Sequence, residues 1–196
     1  MKFAGNKKMY LLLGISGVLI GLGLLFAIRG RKRIVLFSES LEGQTEIGDN
    51  AGFTSEEFQN LMAQVGWQPG DAWCVFFVKC VWYNMVPAFL KQKIMDSVTG
   101  STITTWDNLQ NDPSFIFPNV PEPGDMVIWR GYSGGSPNAD GHAGIVKYLG
   151  FGNFTTVEGN TNTDGSADGY IVAEKIRTFD YTVNDGLRLM GFIRIA

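Results

Sequence analysis

AWCVFFVKCVWYN, residues 72–84, is apolar almost all round, with Lys79 as its only charge. A helix with no polar face is surrounded by protein, so this segment is read as the central helix of a domain, with Cys74 at its start. Pro69-Gly70 punctuates the chain before it. Upstream, Thr54-Ser55-Glu56-Glu57 reads as a capping box, with Thr54 as the cap. Phe58, Leu61, Met62 and Val65 then follow at helical spacing up to Gly66. Downstream, Pro87 suits the first turn of a third helix, with Gly100 past its end, and a short helix is expected over Trp106 to Leu109. From Asn111 the texture changes. MVIW (126–129), AGIVKYL (143–149), FTTVE (154–158), YIVAEKI (170–176) and LRLMGFIRI (187–195) are apolar runs of strand length separated by Gly, Pro and Asp. Helices first and strands later predict an α+β domain whose N-terminal helices pack on an antiparallel sheet.

The composition excludes several classes. The chain has 196 residues, 45% apolar and 18% charged, enough for one domain with a core. A single histidine rules out a multi-histidine metal site, and two cysteines are too few for a disulfide scaffold or a cysteine-built zinc site. The net charge of −3 is unevenly placed. Seven of the sixteen Lys/Arg and none of the nineteen acids lie in residues 1–33. The remaining nine bases and nineteen acids leave residues 34–196 at −10, with no electrostatic footprint for nucleic acid.

Residues 9–28, MYLLLGISGVLIGLGLLFAI, carry no charged side chain, and Lys2, Lys7 and Lys8 precede them. As a helix this run spans about 30 Å, which predicts a transmembrane helix and a single-pass membrane protein using the bilayer as a partner through residues 9–28. The rival reading, a cleaved signal, places Ala27 at −1 but leaves the bulky Leu25 at −3. Residues 29–51 are read as a basic juxtamembrane segment (Arg29, Arg31, Lys32, Arg33) and a linker without a helical stripe, and residues 52–196 as the domain. Basic residues flank both ends of the run, so they set no firm orientation.

The chemistry-bearing residues are few. Cys74 at a helix start sits where the dipole and free N–H groups favour negative charge. His142 opens a strand after the glycine-rich loop SGGSPNADG. Glu158 and Asn160 end the next strand, in VEGN. A short Gly150–Asn153 turn would set these two strands side by side, so that Glu158 approaches His142 across the ladder. Nucleophile, base and orienting group would then converge. Each residue also has a plain reading: cysteine is commonly core, a lone histidine is commonly structural, and Glu-Gly-Asn forms turns. Cys80 is read as core, because residues six apart on a helix are separated by about 9 Å along the axis and face different ways.

GDAWCVFFV, PGDMVIW, GHAGIV and VEGNTN, in this order, resemble the CHAP family, the cysteine- and histidine-dependent amidohydrolase/peptidase domains of bacterial and phage wall hydrolases. The resemblance covers about residues 52–196. It implies a papain-like fold and peptidoglycan as substrate, with cleavage at the N-acetylmuramoyl-L-alanine amide or within the stem peptides and cross-bridges. It implies Cys74 as nucleophile, His142 as base, Glu158 as orienter and Asn160 as a second polar residue. Gln68, six residues before Cys74, resembles the oxyanion glutamine of papain-like enzymes, and Trp73 either packs beside the nucleophile or lines the groove. Wall remodelling and phage infection or lysis both suit such an enzyme. A structural protein or a wall-peptide binding module on the same fold is the alternative.

No cofactor is expected. Asn160, Asn162, Asp164, Gly165 and Asp168 resemble a calcium loop, but Ile171 stands where a bidentate glutamate belongs, and a turn-rich hairpin explains the segment as well.

Overall fold

The computed structural model describes residues 29–162 and 169–196. Helices come first: α1 (29–40), α2 (Glu56–Gln64), α3 (Cys74–Met85), α4 (Ala88–Ser97) and α5 (Thr102–Gln110). The strands follow as β1 (Phe115–Ile116), β2 (Met126–Ser133), β3 (Ser136–Leu149), β4 (Asn153–Thr161), β5 (Ile171–Thr178), β6 (Val183–Asn184) and β7 (Leu187–Ile195). They form one antiparallel sheet in the order β1-β7-β2-β3-β4-β5, with β6 paired to β7.

The central helix is buried from Cys74 to Trp82, Lys79 included, and packs on β3 and β4. Alternation divides each strand between two faces. Met126, Ile128, Ala143, Ile145, Val157 and Ile193 join the helices in the main core. Val127, Trp129, Val146, Phe154, Leu189 and Phe192 form a second cluster on the other face. Phe154 of β4 meets Phe192 of β7 edge-on at 5.3 Å between centroids, although two strands separate them in the sheet order. The sheet must therefore curl around this second cluster.

Several boundaries differ from expectation for local reasons. The cap of α2 is Ser55, which accepts from the Phe58 N–H, and not Thr54. α5 starts at Thr102, behind a Ser101 cap and a turn earlier than expected, since the buried threonines Thr102 and Thr105 hide the stripe that ends in Leu109. SGGSPNADG is no loop. Ser133 pairs with Ser136 across a two-residue turn in which Gly134 and Gly135 have φ of 58° and 80°, the left-handed geometry of a tight hairpin.

The larger correction lies at the N-terminal side. Among the described residues no helix is long and apolar enough to cross a membrane; the run 9–28 lies outside them. The transmembrane helix, the single-pass localisation and the bilayer as partner are withdrawn. α1 carries four cations and an acid in RGRKRIVLFSES, a composition that hydrocarbon does not accept. It is no linker either. Ile34, Ser38 and Leu41 bury one face against the domain. Ser38 occupies the stripe because its hydroxyl donates to the Val35 carbonyl at 2.7 Å. Arg31 pairs with Glu122 at 3.1 Å and Glu39 with Lys147 at 2.9 Å. Beyond α1, the Gly43 and Glu46 N–H groups donate to the Val172 and Tyr170 carbonyls, so the chain runs along the edge of β5. The folded unit begins well before residue 52.

Candidate active site

The site is assembled where the start of α3 meets β3 and β4. Cys74 is the first residue of α3, and the preceding Trp73 makes no side-chain cap, so the early N–H groups of the helix lack intrahelical partners. Cys74 is 5% exposed and lines a cleft of about 980 Å³ together with Asn50, Gly70 and Asn160. Tyr132, Asp140 and Asp185 also line it.

His142 and Glu158 are fully buried, and His142 Nε2 lies 2.8 Å from Glu158 Oε2. The pairing is diagonal: extending the Ile145↔Val157 register places Gly144, not His142, opposite Glu158. With Nε2 taken by Glu158, Nδ1 is the nitrogen left for the Cys74 thiol, whose interaction with the ring favours the imidazolium. Nδ1 makes no hydrogen bond with any described residue. The Trp129 ring, across the β2–β3 ladder, lies 5.9 Å from that of His142.

Glu158 is held from three further directions. Thr156 Oγ1 donates to Oε1 at 2.5 Å, Arg177 Nε donates to Oε1 at 2.8 Å, and Arg177 Nη2 donates to Oε2 at 2.5 Å. Burial works against the carboxylate charge, but the Arg177 fork and the imidazole outweigh it and hold Glu158 well below the usual carboxylate range. Burial likewise opposes protonation of His142; the Glu158 charge, with help from Cys74, outweighs it and raises the imidazole to about 9.

Asn160 is 2% exposed, has φ 52° and lines the cleft, with Oδ1 lacking a partner among the described residues. Gly159 lets β4 run against α3: a Cβ there would fall 2.6 Å from Phe77 Cβ and 2.7 Å from Trp73 Cζ3.

Cys74, His142, Glu158 and Asn160 are thus brought together. Gln68 and Trp73 are not in the cleft. Gln68 is exposed, in a turn where its N–H donates to Asp71 Oδ2, and Gly70 is the turn residue that reaches the wall. Trp73 is fully buried, edge-on to Phe53 and Phe58, and donates through Nε1 to Glu46 Oε2 at 2.7 Å. Cys80 is core, and burial pushes its thiol up to about 12.

Residues 65–160 match the CHAP domain family. This stretch is just under half of the chain and supports the CHAP family, whose members are generally cysteine- and histidine-dependent amidohydrolases and peptidases. The CHAP match takes in Cys74, His142 and Glu158 and ends on Asn160. Asn50 and Arg177, which sequence reading missed, lie outside it. No curated protein matches the chain. The P-G-D of the CHAP resemblance has a structural use here: Asp125 accepts a fork from Arg194, at 2.9 and 2.8 Å, and the Glu122 N–H at 2.7 Å. Among the described residues no group of three or more His, Cys, Asp and Glu is placed to hold a metal. Residues 163–168 of the calcium-like segment lie outside the described residues.

Proposed function

We propose that this protein hydrolyses an amide bond of peptidoglycan through Cys74, His142 and Glu158, by way of a thioester. The observation that carries the reading is the buried Glu158–His142 pair, which occupies Nε2 and leaves Nδ1 for a cysteine at a helix start facing a cleft. A buried imidazole with an ionised carboxylate behind it is an arrangement for moving protons.

His142, raised to about 9, is protonated at neutral pH, and the Cys74 thiolate beside it attacks the amide carbonyl carbon through Sγ. The oxygen of the tetrahedral adduct takes up negative charge and accepts from the Cys74 N–H, which as a first-turn donor needs a partner. The adduct collapses as the protonated Nδ1 gives its proton to the leaving amine, and the C–N bond breaks. Water then enters, Nδ1 takes its proton, and hydroxide adds to the thioester carbonyl. Cys74 leaves as thiolate, and His142 keeps the proton taken from water, which restores the starting pair. Glu158 stays ionised throughout and steadies the imidazolium. Asn160, turned into the cleft by its left-handed backbone, is placed to bond the substrate's amide. Wall remodelling and phage infection or lysis differ in where the enzyme meets its substrate, not in this chemistry.

Digestion of purified sacculi by the full chain, with mass spectrometry of the fragments, tests the reading. New amino-terminal L-alanine identifies an amidase, and other new amines identify an endopeptidase. No new amines from the wild type, or the same fragments from Cys74→Ala, would overturn it.

A further inference from the structure

Arg177 lies on β5, seventeen residues past the end of the CHAP match. Its fork takes both oxygens of Glu158. Its guanidinium also lies 5.0 Å from the centre of the Trp129 ring, and Trp129 is the neighbour of His142 across the β2–β3 ladder. Strands β2 and β5 are not adjacent in the sheet, so Arg177 reaches Trp129 over the curl. Glu158 and Trp129, the carboxylate and the aromatic ring beside the imidazole, are thus gripped by one side chain. We propose that Arg177 is the positioning residue of this site: its fork fixes the Glu158 carboxylate, and through it the His142 ring, in the orientation that presents Nδ1 to Cys74. The proposal rests on the catalytic reading of Cys74 and His142 given above.

Two consequences separate this role from packing alone. A planar fork dictates the plane of the carboxylate, which one contact from Thr156 cannot do, and an ammonium cannot replace it. The guanidinium also shares the charge of Glu158 with the imidazolium. Without it, Glu158 is opposed by His142 alone, and the imidazolium is held more tightly. The charged and titratable groups around the pair are few. Cys74 faces His142 from α3 and Glu158 faces it from β4, and Asp185, beyond β6, acts on Arg177 through space.

His142 is the only histidine of the chain, so its ring resonances need no assignment. In the full chain, Arg177→Met is expected to raise the His142 titration midpoint by at least about half a unit. It should lower kcat on sacculus fragments about 10- to 100-fold, with KM changed less than about twofold. Arg177→Lys should bring the midpoint back toward wild type while kcat stays at least about fivefold down. An unchanged midpoint in Arg177→Met, or full kcat in Arg177→Lys, would overturn the proposal. If Arg177→Met loses its cooperative melt, Arg177→Lys decides alone by the same kcat criterion. If the wild type releases no fragments, the hydrolase reading fails, and the midpoint comparison still decides whether Arg177 governs the imidazole.

Discussion

A Cβ at Gly144 would stand 2.7 Å from Cγ of Glu158 and 3.3 Å from the Val157 carbonyl oxygen. Glycine at this position is what lets the Glu158 side chain lean diagonally across the ladder toward His142. Glu158 cannot give way, because Arg177 and Thr156 hold its carboxylate from behind.

Gly144→Ala is therefore expected to cost about 1–3 kcal/mol of stability through overpacking. Its loss of sacculus clearing should exceed anything the lost stability explains, because Glu158 or the strand must shift. Thermal melts beside clearing rates check this, and a stable, fully active variant would contradict it.

Cys74→Ser and His142→Ala should abolish clearing while leaving a cooperative melt. Cys80→Ala should keep most activity and lose about 1–2 kcal/mol, since Cys80 is fully buried in the core and its removal leaves a small cavity. A folded but inactive Cys80→Ala would show that the wrong thiol has been assigned.

Stability should fall at both ends of the pH scale. His142 is raised from 6.5 to about 9 in the folded chain, so its contribution is fully present below about pH 6.5 and is lost as pH rises through 9. Glu158 is held below its ordinary 4.5, so its contribution is present above that value and is lost in acid. Melting temperatures from pH 3 to 10 should show both limbs, with the alkaline one flattened in His142→Ala. A wild-type curve that is flat between pH 7 and 10 would count against the buried pair as described.

Arg194→Met should cost about 3 kcal/mol or more, because Asp125, 1% exposed and already pushed up by burial, would lose the fork that compensates its carboxylate and be left buried without a cation or forced to take up a proton. Glu122→Gln should cost less, since Glu122 is on the surface, yet it should loosen α1 by releasing Arg31. Hydrogen exchange across residues 29–40 measures the second effect, and unchanged protection there would reject it.

What could be read from the chain alone was local and periodic. The all-apolar run around Cys74, the alternating strands and the turn at Gly150–Asn153 carry their patterns in consecutive residues, and they locate Cys74, His142, Glu158 and Asn160. α1 escaped such reading because its buried stripe contains Ser38 and its surface is densely charged; contacts with Glu122, Lys147 and the edge of β5 make it a helix of this domain. Gln68 was misplaced because sequence spacing does not say which residue of a Pro-Gly turn faces a cleft. Arg177 has no local signature at all, as an arginine on a strand with exposed alternate positions reads as a surface residue. Only the curl of the sheet carries its side chain over Trp129 and onto Glu158. The longer strands, the central helix and most of the reactive groups are legible along the chain, because those depend on neighbours in sequence. The tertiary structure decided how the imidazole is held, because that depends on β5 closing over residues brought in from β2 and β4.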